Sequence, residues 1–343
     1  MAAATAIFYL FLSVFLLPPL AAAAPSPYLS PATLFKNYQH MLTTFKIFIY
    51  TPYKPFEFPD NPASLFYSSL LRSSFLTQNP DEAHLFFVPF SPDTPSRSLA
   101  RVVRELRTDL PYWNRTLGAD HFFLSPAGID YSSDRNILEL KKNAVQISAF
   151  PVVSGYFVPH KDITLPPSGG SPLALFRATE ENSTRTSILG HLRWDGKTER
   201  NLVNELKSDP DFVVEEKGEQ LDSWRSKFCL FLYHGEVAGI VEAMAGGCVP
   251  VVIVDRPVQD LPLMDVLRWS DLGLVVAVPR GGAGRLKQIL SEVSEEKIAE
   301  MAELVTAASK HLVWNDEAQA MDAFNMVMYQ LWLRRHAVRY ARR

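Results

Sequence analysis

The chain has 343 residues, of which 47% are apolar and 21% are charged. This is the composition of an ordinary globular protein, and the length is sufficient for two domains. The formal net charge is −3, and the only basic run is at the extreme C-terminus, so the sequence predicts no nucleic-acid partner.

The N-terminal segment has the features of a targeting sequence. The first 25 residues contain no charged side chain, and an apolar core is followed by small residues, AAAAP. Small residues after such a core are typical of a secretory signal peptide, whereas residues 2–24 together are long enough to cross a bilayer. Residues 1–25 are therefore interpreted as a signal peptide or a signal anchor. Sequons at Asn114 and Asn182 predict N-glycosylation in the secretory pathway.

From residue 45 onward, short apolar runs alternate with amphipathic runs. Strands are predicted at residues 45–50, 84–90, 121–126, 144–150, 173–176, 211–216, 228–233, 249–255 and 272–278. Helices are predicted at residues 63–76, 98–110, 284–293, 295–313 and 317–340. Apolar strands that alternate with helices indicate parallel sheets covered on both faces. Residues 159–172 are rich in Pro, Gly and Ser and are predicted to be a linker or boundary loop between two Rossmann-like domains that face a cleft.

The chain contains two cysteines, Cys229 and Cys248, each beside or within an apolar strand-like run. Two cysteines in a chain of this length exclude a disulfide-rich scaffold. Buried free thiols are the favoured interpretation, because cysteine is among the most buried residue types. A single bridge between them stays open if their strands are neighbours.

The stretch FCLFLYHGEVAGIVEAMAGGCVPVVIVD, residues 228–255, reads as strand, turn, short helix, turn and strand. In such a unit the helix begins at the carboxyl end of the first strand, where backbone N–H groups favour an anion such as a diphosphate. Gly235 lies in the turn, and Glu236 and Glu242 could accept hydrogen bonds from ribose hydroxyls. The pattern predicts a nucleotide-sugar site, while a purely structural turn stays open as the alternative.

Several long segments resemble the exostosin-like glycosyltransferases of family 47, especially the plant members that build cell-wall glycans. The matching segments are FKIFIYTPY from Phe45, PDEAHLFFVPFS from Pro80, YWNRTLGADHFFLSP from Tyr112, HKDITLPP from His160, SKFCLFLYHGEVAGIVEAMAGGCVPVVI from Ser226, LPLMDVLRWSDLGLVV from Leu261 and AFNMVMYQLWLRR from Ala323. They occur in the order found in the family and cover nearly all of the chain after residue 40.

The resemblance implies an α/β GT-B fold with an N-terminal acceptor-side domain at residues 40–165 and a C-terminal nucleotide-sugar-binding domain at residues 173–335. It implies inverting transfer from a UDP-sugar to a cell-wall polysaccharide or glycoprotein in the Golgi lumen, with no metal or other cofactor tightly bound. The expected partners are the nucleotide sugar, the glycan acceptor and other transferases in a complex. The membrane is a further partner if the leader is retained as a single-pass type II anchor.

The resemblance also implies site residues. Arg185 stands where the family places a basic residue and is predicted to bind the donor together with Gly235, Glu236 and Glu242. An inverting transfer needs a base that deprotonates the acceptor hydroxyl.

Asp120 and His121 are the candidates for this catalytic role, because histidine titrates near neutral pH. The alternative is structural, with Asp120 anchoring a loop and His121 buried among hydrogen bonds.

The chain departs from the family pattern at HGEVAGIVEAMAGGCVPV, which is two residues shorter and lacks a Ser and an Arg. Glu236 and Glu242 are therefore six positions apart rather than eight. On a helix six residues advance by about 240° and eight by about 80°, so the two carboxylates need not converge on one ligand. Arg177 is a candidate replacement for the missing arginine. A catalytically silent relative, acting as a glycan-binding or assembly partner of an active transferase, is the alternative function.

Overall fold

The computed structural model describes residues 25–52, 54–59, 61–130, 132–152, 156–169, 188–216, 226–235, 237–277 and 280–335. Several predictions fall outside these ranges: residues 1–24 of the leader, the strand at 173–176, and the site residues Arg177, Asn182, Arg185 and Glu236. Within the described ranges, no helix has the length and apolar character needed to cross a membrane.

The first unit is a five-stranded parallel sheet in the order β1-β2-β3-β4-β5. Its strands are β1 (Ile47–Ile49), β2 (Leu85–Phe87), β3 (His121–Leu124), β4 (Val145–Ala149) and β5 (Ile163–Leu165). The helices of this part of the chain are α1 (Pro31–Thr44), α2 (Asn61–Arg72), α3 (Ser96–Asp109), α4 (Pro111–Thr116) and α5 (Arg135–Asn143). Strands β2 and β3 are buried along their whole length, as expected for a parallel sheet covered on both faces.

The second unit is a five-stranded parallel sheet in the order β10-β9-β8-β6-β7. Its strands are β6 (Gly190–Trp194), β7 (Phe212–Glu216), β8 (Phe228–Leu232), β9 (Val249–Val254) and β10 (Leu274–Ala277). The helices of this part of the chain are α6 (Arg200–Lys207), α7 (Ile240–Ala245), α8 (Trp269–Leu272), α9 (Gly282–Ser291), α10 (Glu295–Ser309) and α11 (Ala323–Arg334). The chain runs from β6 outward to β7 and then crosses back to β8, so the strand order reverses between β6 and β8.

Two Rossmann-like α/β units confirm the predicted fold class. The carboxyl ends of the two sheets meet, because the backbone N–H of Val152, just after β4, donates to Asp260, which follows β9 (2.9 Å). Thr164 in β5 donates its hydroxyl to the carbonyl of Asp260 at 2.9 Å. The two units are thus in direct contact through Asp260.

The predicted linker at residues 159–172 is corrected by the structure. Ile163–Leu165 forms the edge strand β5, with Ile163 opposite Ile147 of β4. A run of only three residues before Pro166 is too short to show the alternation of a strand. The Pro and Gly residues around it therefore led to the prediction of a loop. Strand β6 was also not predicted, since its sequence, GHLRW, places polar residues at alternate positions.

The last described helix returns to the first unit. Helix α11 packs against β5 and α1. The guanidinium of Arg334, at its end, donates to the carbonyls of Lys161 (2.6 Å) and Asp162 (2.9 Å). The domain boundaries stay predictions, but the contacts of α11 cross the boundary that was placed between residues 165 and 173.

The prediction of two free thiols is wrong, because Cys229 and Cys248 form a disulfide. Cys229 lies in β8 and Cys248 immediately precedes β9. These strands are parallel neighbours with Phe228 opposite Val249. The pairing brings the two Cα atoms to 5.8 Å, within the range that a disulfide spans.

A buried histidine, His311, links the N-terminal segment to the turn that precedes helix α11. His311 Nδ1 lies 2.6 Å from the carbonyl oxygen of Met321, and Nε2 lies 2.7 Å from the hydroxyl oxygen of Tyr28. A carbonyl can only accept, so Nδ1 carries the proton and Nε2 accepts from Tyr28. The neutral ring satisfies both partners, and burial lowers the pKa of His311 to about 4.

This arrangement predicts a stability loss at mildly acidic pH. Below about pH 6.5 the unfolded chain protonates this histidine while the folded chain does not, so the free energy of unfolding falls as the pH drops toward 4. For His311 the loss from pH 7 to pH 5 is about 2 kcal/mol. Urea unfolding of His311→Asn at both pH values is expected to show a smaller pH dependence than the wild type. The exposed His160→Asn is the control, and an unchanged pH dependence in His311→Asn would contradict the assignment.

Candidate active site

The reversal of strand order between β6 and β8 marks a crevice in the second unit. In open parallel sheets, ligands bind at the carboxyl ends of the strands where the order reverses. Two loops flank this point, residues 195–199 after β6 and residues 233–239 after β8. Of the second loop, residue 236 lies outside the described residues.

The loop after β6 is held by Asp195. Its carboxylate accepts from the backbone N–H groups of Lys197 and Thr198, both at 2.9 Å, and from the Thr198 hydroxyl at 2.7 Å. Burial opposes ionisation of Asp195, but these hydrogen bonds outweigh it and hold the pKa of the carboxyl below its ordinary value. The indole N–H of Trp194 donates to the carbonyl of Thr198 at 2.7 Å, which fixes the loop from the other side.

Gly235 is where the two loops approach each other. A Cβ at this position would lie 3.2 Å from the Cβ of Leu232 and 3.7 Å from the Cβ of Thr198. The first distance is tighter than ordinary packing, so a side chain here would push the turn outward. The predicted donor residue Gly235 thus lies beside Thr198 of the other loop, and its lack of a side chain relieves the contact with Leu232 within its own turn.

The second predicted donor residue, Glu242, has an unexpected partner. The guanidinium of Arg193, from β6, lies 3.1 Å from the Glu242 carboxylate (Nη1 to Oε2). Arg193 is 13% exposed and Glu242 is 25% exposed. The helix lacks the arginine of the family pattern, and the guanidinium that contacts Glu242 comes from a strand 49 positions earlier in the sequence.

Arg193 belongs to a larger group of charges under the crevice. Its Nε lies 3.8 Å from the carboxylate of Glu215, in β7, and His191 Nε2 lies 3.1 Å from the same carboxylate oxygen. Two carboxylates thus lie near one guanidinium in a largely buried setting, and the hydrogen bond of the guanidinium is to Glu242.

Sequence reasoning missed His191 and Arg193, although a signal was present. In GHLRW they alternate with Leu192 and Trp194, which pack in the apolar core of this unit. Such alternation is typical of a strand with one polar face.

The helix after the crevice, α7, has only six residues. A helix this short has a small dipole, so its N-terminus alone is a weak anion site. Charged side chains around the crevice therefore carry most of any attraction to a ligand.

The mouth of the crevice carries a histidine and a carboxylate. His234, after β8, and Asp255, after β9, lie 3.4 Å apart (Nε2 to Oδ1) and are 46% and 55% exposed. Both side chains can reach solvent or a ligand. Asp255 directly follows the buried strand β9 at this edge of the sheet, and the contact with Asp255 is what distinguishes His234 from an ordinary turn residue.

The residue before His234 bridges the two units. The hydroxyl of Tyr233 donates to Asp260, and burial together with that bond raises the pKa of Tyr233. The guanidinium of Arg256 packs over the Tyr233 ring at 5.1 Å and donates to the carbonyl of Val152 at 3.1 Å. His234 therefore stands where the second unit meets the first.

The predicted catalytic pair lies in the interior of the first unit. His121 is fully buried, with Nδ1 2.7 Å from Asp120 Oδ1 and Nε2 2.9 Å from the Tyr50 hydroxyl. Burial lowers the pKa of His121. Burial also opposes ionisation of Asp120, but hydrogen bonds from His121, Thr116 and Arg115 hold its pKa below the ordinary value.

The result is a carboxylate, a neutral imidazole and a tyrosine in series. This geometry is the one that the structural alternative anticipated for Asp120 and His121. The buried ring has no route to an acceptor hydroxyl, so direct proton transfer by His121 stays only a prediction, without support from its position.

Two further sequence predictions can be placed. Asn114 is exposed on α4, where its amide donates to the carbonyl of Arg107 at 2.8 Å. Among the described residues, no group of three or more His, Cys, Asp and Glu side chains is arranged to hold a metal ion.

Comparison with known proteins gives consistent matches. Residues 41–293 match the exostosin GT47 domain. The chain is 28% identical to the probable glycosyltransferase At3g07620 of Arabidopsis thaliana, over 90% of this chain and 72% of the relative. It is 27% identical to the probable beta-1,4-xylosyltransferase IRX10 of the same plant, over 76% of this chain and 72% of the relative.

Among solved structures, WaaG, a glycosyltransferase involved in lipopolysaccharide biosynthesis, matches with a TM-score of 0.36 and 11% identity. The match covers 84% of this chain and 99% of WaaG.

Proposed function

Because the chain belongs to the exostosin GT47 family, we propose that it is an inverting glycosyltransferase that moves a sugar from a UDP-sugar to a cell-wall polysaccharide or glycoprotein. The observation that carries the proposal is the Arg193–Glu242 pair at the crevice where the strand order reverses. The pair brings a guanidinium and a carboxylate together at the predicted donor site. The relatives are named as transferases, which also favours an active enzyme over a silent partner.

The donor would lie across the crevice, with Glu242 accepting hydrogen bonds from the ribose hydroxyls. Arg193 would keep that carboxylate oriented through the ion pair between them. Lys197, exposed on the loop after β6, would approach the diphosphate. Arg185 and Glu236 remain proposed donor residues outside the described part of the chain.

In the transfer step, a base removes the proton from an acceptor hydroxyl as its oxygen attacks the anomeric carbon. The bond from that carbon to the diphosphate oxygen breaks on the opposite face, which inverts the configuration and releases UDP. We assign the base to His234, with Asp255 stabilising the imidazolium that forms. This choice follows from exposure, since His234 can reach a ligand and His121 cannot.

We place the enzyme in the Golgi lumen, held by the N-terminal segment if that segment is retained, and working alone or in a transferase complex. The Cys229–Cys248 disulfide supports this location, because disulfides persist in the oxidising secretory pathway and are rare in the cytosol.

Calorimetric titration of the purified protein with UDP tests the proposal, with GDP as the comparison. We expect UDP to bind, and a screen of UDP-sugars to identify a transfer whose product has the inverted anomeric configuration by NMR. A folded protein that binds neither nucleotide at millimolar concentration would overturn the proposal and favour the silent partner.

A further inference from the structure

Exposed apolar side chains concentrate around the first helix. Among the described residues, seven large apolar side chains are exposed, and four of them, Leu29, Phe35, Leu42 and Met264, lie on or beside α1. Phe35 and Leu42 are seven positions apart and therefore share one side of the helix. The Phe35 ring packs edge-on against Tyr28 at 5.7 Å, which places it next to Leu29. Single exposed apolar residues are ordinary, whereas such a concentration marks a contact surface. We call these four residues the N-terminal face.

Met264 belongs to this face because the N-terminal segment pairs with the loop that carries it. Tyr28 forms an antiparallel bridge with Leu267. The backbone N–H of Leu29 donates to the carbonyl of Val266 at 2.9 Å. A loop of the second unit is thus tied to the chain that leads into α1, so the face has a fixed backbone on both sides.

The N-terminal face lies immediately after the leader. Residues 25 and 26 alone separate the buried Pro27 from residue 24, the end of the uncharged segment. An extended chain spans at most about 3.5 Å per residue, so residue 24 is within about 10 Å of Pro27. A leader retained as an anchor would therefore hold the N-terminal face at the surface of the bilayer, with no stem between them.

The helix of this face carries no negative charge. The first acidic residue of the chain is Glu57, so α1 and the segment before it contain none. Lys36 is exposed on α1. Asp265, the acidic residue next to Met264, is paired with Arg334 at 2.8 Å. The exposed apolar side chains are therefore accompanied by a net positive charge.

The end of α11 adds basic residues beside α1. The ring of Trp332 contacts the ring of His40, on α1, edge-on at 5.9 Å. The guanidinium of Arg335 lies 3.3 Å from the centre of the Trp332 ring. Arg335 belongs to the basic run, which contains five arginines and no acidic residue over residues 334–343. Basic and apolar side chains side by side are the combination that binds anionic bilayer surfaces.

We propose that the N-terminal face docks on the anionic surface of a lipid bilayer, with Phe35 and Leu42 between the headgroups and the acyl chains. The inference rests on the retained leader of the proposed function. A polyuronate would also attract the arginines, but it offers no apolar region to the exposed side chains of α1. A bilayer satisfies both features of the face, so lipid is the occupant that the side chains favour.

The disulfide allows a test with single fluorescent reporters. Both native cysteines are bonded to each other, so an introduced cysteine supplies the one free thiol. Phe35→Cys and Leu42→Cys are labelled with the fluorophore NBD in the full chain. Leu117→Cys and Val275→Cys are the controls, because these side chains are at least as exposed but lie elsewhere. Each protein is reconstituted in nanodiscs of phosphatidylcholine and phosphatidylglycerol at three to one, in which some acyl chains carry a nitroxide quencher near the headgroup.

We expect the nitroxide lipid to lower fluorescence at least twofold at positions 35 and 42 and to leave positions 117 and 275 unchanged. Discs of phosphatidylcholine alone should reduce that quenching by half or more, because the positive charge then has no anionic counterpart. Absence of quenching at positions 35 and 42, or equal quenching at all four positions, overturns the inference. Equal quenching in the two lipid compositions overturns the anionic partner, and a protein that does not associate with the discs overturns the inference as well.

Two further measurements separate the remaining explanations. Oligogalacturonate is added to the labelled proteins without lipid, and a fluorescence change at positions 35 and 42 would assign the face to a polyuronate instead. UDP binding is measured on the same samples. Retained UDP binding without docking overturns this inference and leaves the proposed donor site in place. Docking without UDP binding overturns the proposed donor site and leaves the membrane surface in place.

Discussion

Replacing Glu242 by glutamine is expected to lower kcat/KM by about 10- to 100-fold, the range expected when a hydrogen bond to a charged group is lost. Glutamine keeps the shape of the side chain but removes the charge that faces Arg193 and, in the proposed donor complex, the ribose hydroxyls. The change is measured by steady-state kinetics with the UDP-sugar identified in the screen, and UDP affinity should fall in parallel. Glu216→Gln, at an exposed carboxylate of β7, is the control and should stay within twofold of the wild type.

A double-mutant cycle shows whether Arg193 acts through Glu242. Arg193→Gln should lower kcat/KM by a similar factor, because it leaves Glu242 without its cation. The combined variant should be little worse than either single one, since residues in one ion-pair network are not additive. Full additivity, or unchanged UDP affinity in Glu242→Gln, would contradict the assignment of this pair to the donor site.

Most of the fold could be predicted from sequence periodicity. The strands that were not predicted were missed for physical reasons. Within the described residues, the strands predicted from continuous apolar runs were found, because burial on both faces leaves a strong signal. Strand β6 carries His191 and Arg193 on one face, so its signal is an alternation over only five residues. Strand β5 is only three residues long and is followed by Pro166, which hides it entirely.

The candidate site was less predictable than the fold, because its chemistry depends on pairs distant in sequence. Glu242 and Gly235 could be chosen from the turn, but the partner of Glu242 is on another strand. The loss of an arginine from the family pattern suggested a weakened site, and only the three-dimensional pairing showed a guanidinium in contact with Glu242. The disulfide shows the same limit, because it could be predicted only if β8 and β9 were already known to be neighbours.

The role of His121 could not be decided from sequence for a related reason. An Asp-His dipeptide at the head of a strand has the chemistry of a base and its orienting carboxylate. Whether the ring faces solvent depends on how Tyr50, Phe86 and Trp113 pack around it, and these rings enclose it completely. Burial therefore moves the search for the base to His234, the exposed histidine at the junction of the units.

Replacing His234 by asparagine is expected to lower kcat by 100-fold or more, since general base catalysis contributes about 10²- to 10⁴-fold. UDP affinity should change little, because His234 acts on the acceptor proton. Protonation of the base reduces wild-type activity at low pH, so the acidic limb of the kcat–pH profile should disappear in the variant. Asp255→Asn should lower kcat by a smaller factor, because the imidazolium that forms on His234 loses the carboxylate that lies 3.4 Å away.

The exposed His160→Asn controls for a general effect of removing a surface histidine and should retain wild-type kcat. A His234→Asn enzyme that keeps kcat within threefold, with its acidic limb intact, would show that another group takes the proton. In that case the search would return to the first unit, where His121 would need an opening motion to reach the acceptor. Hydrogen exchange of β3 in the presence of glycan would then detect such a motion, because a closed His121 site keeps this strand among the slowest in the molecule to exchange.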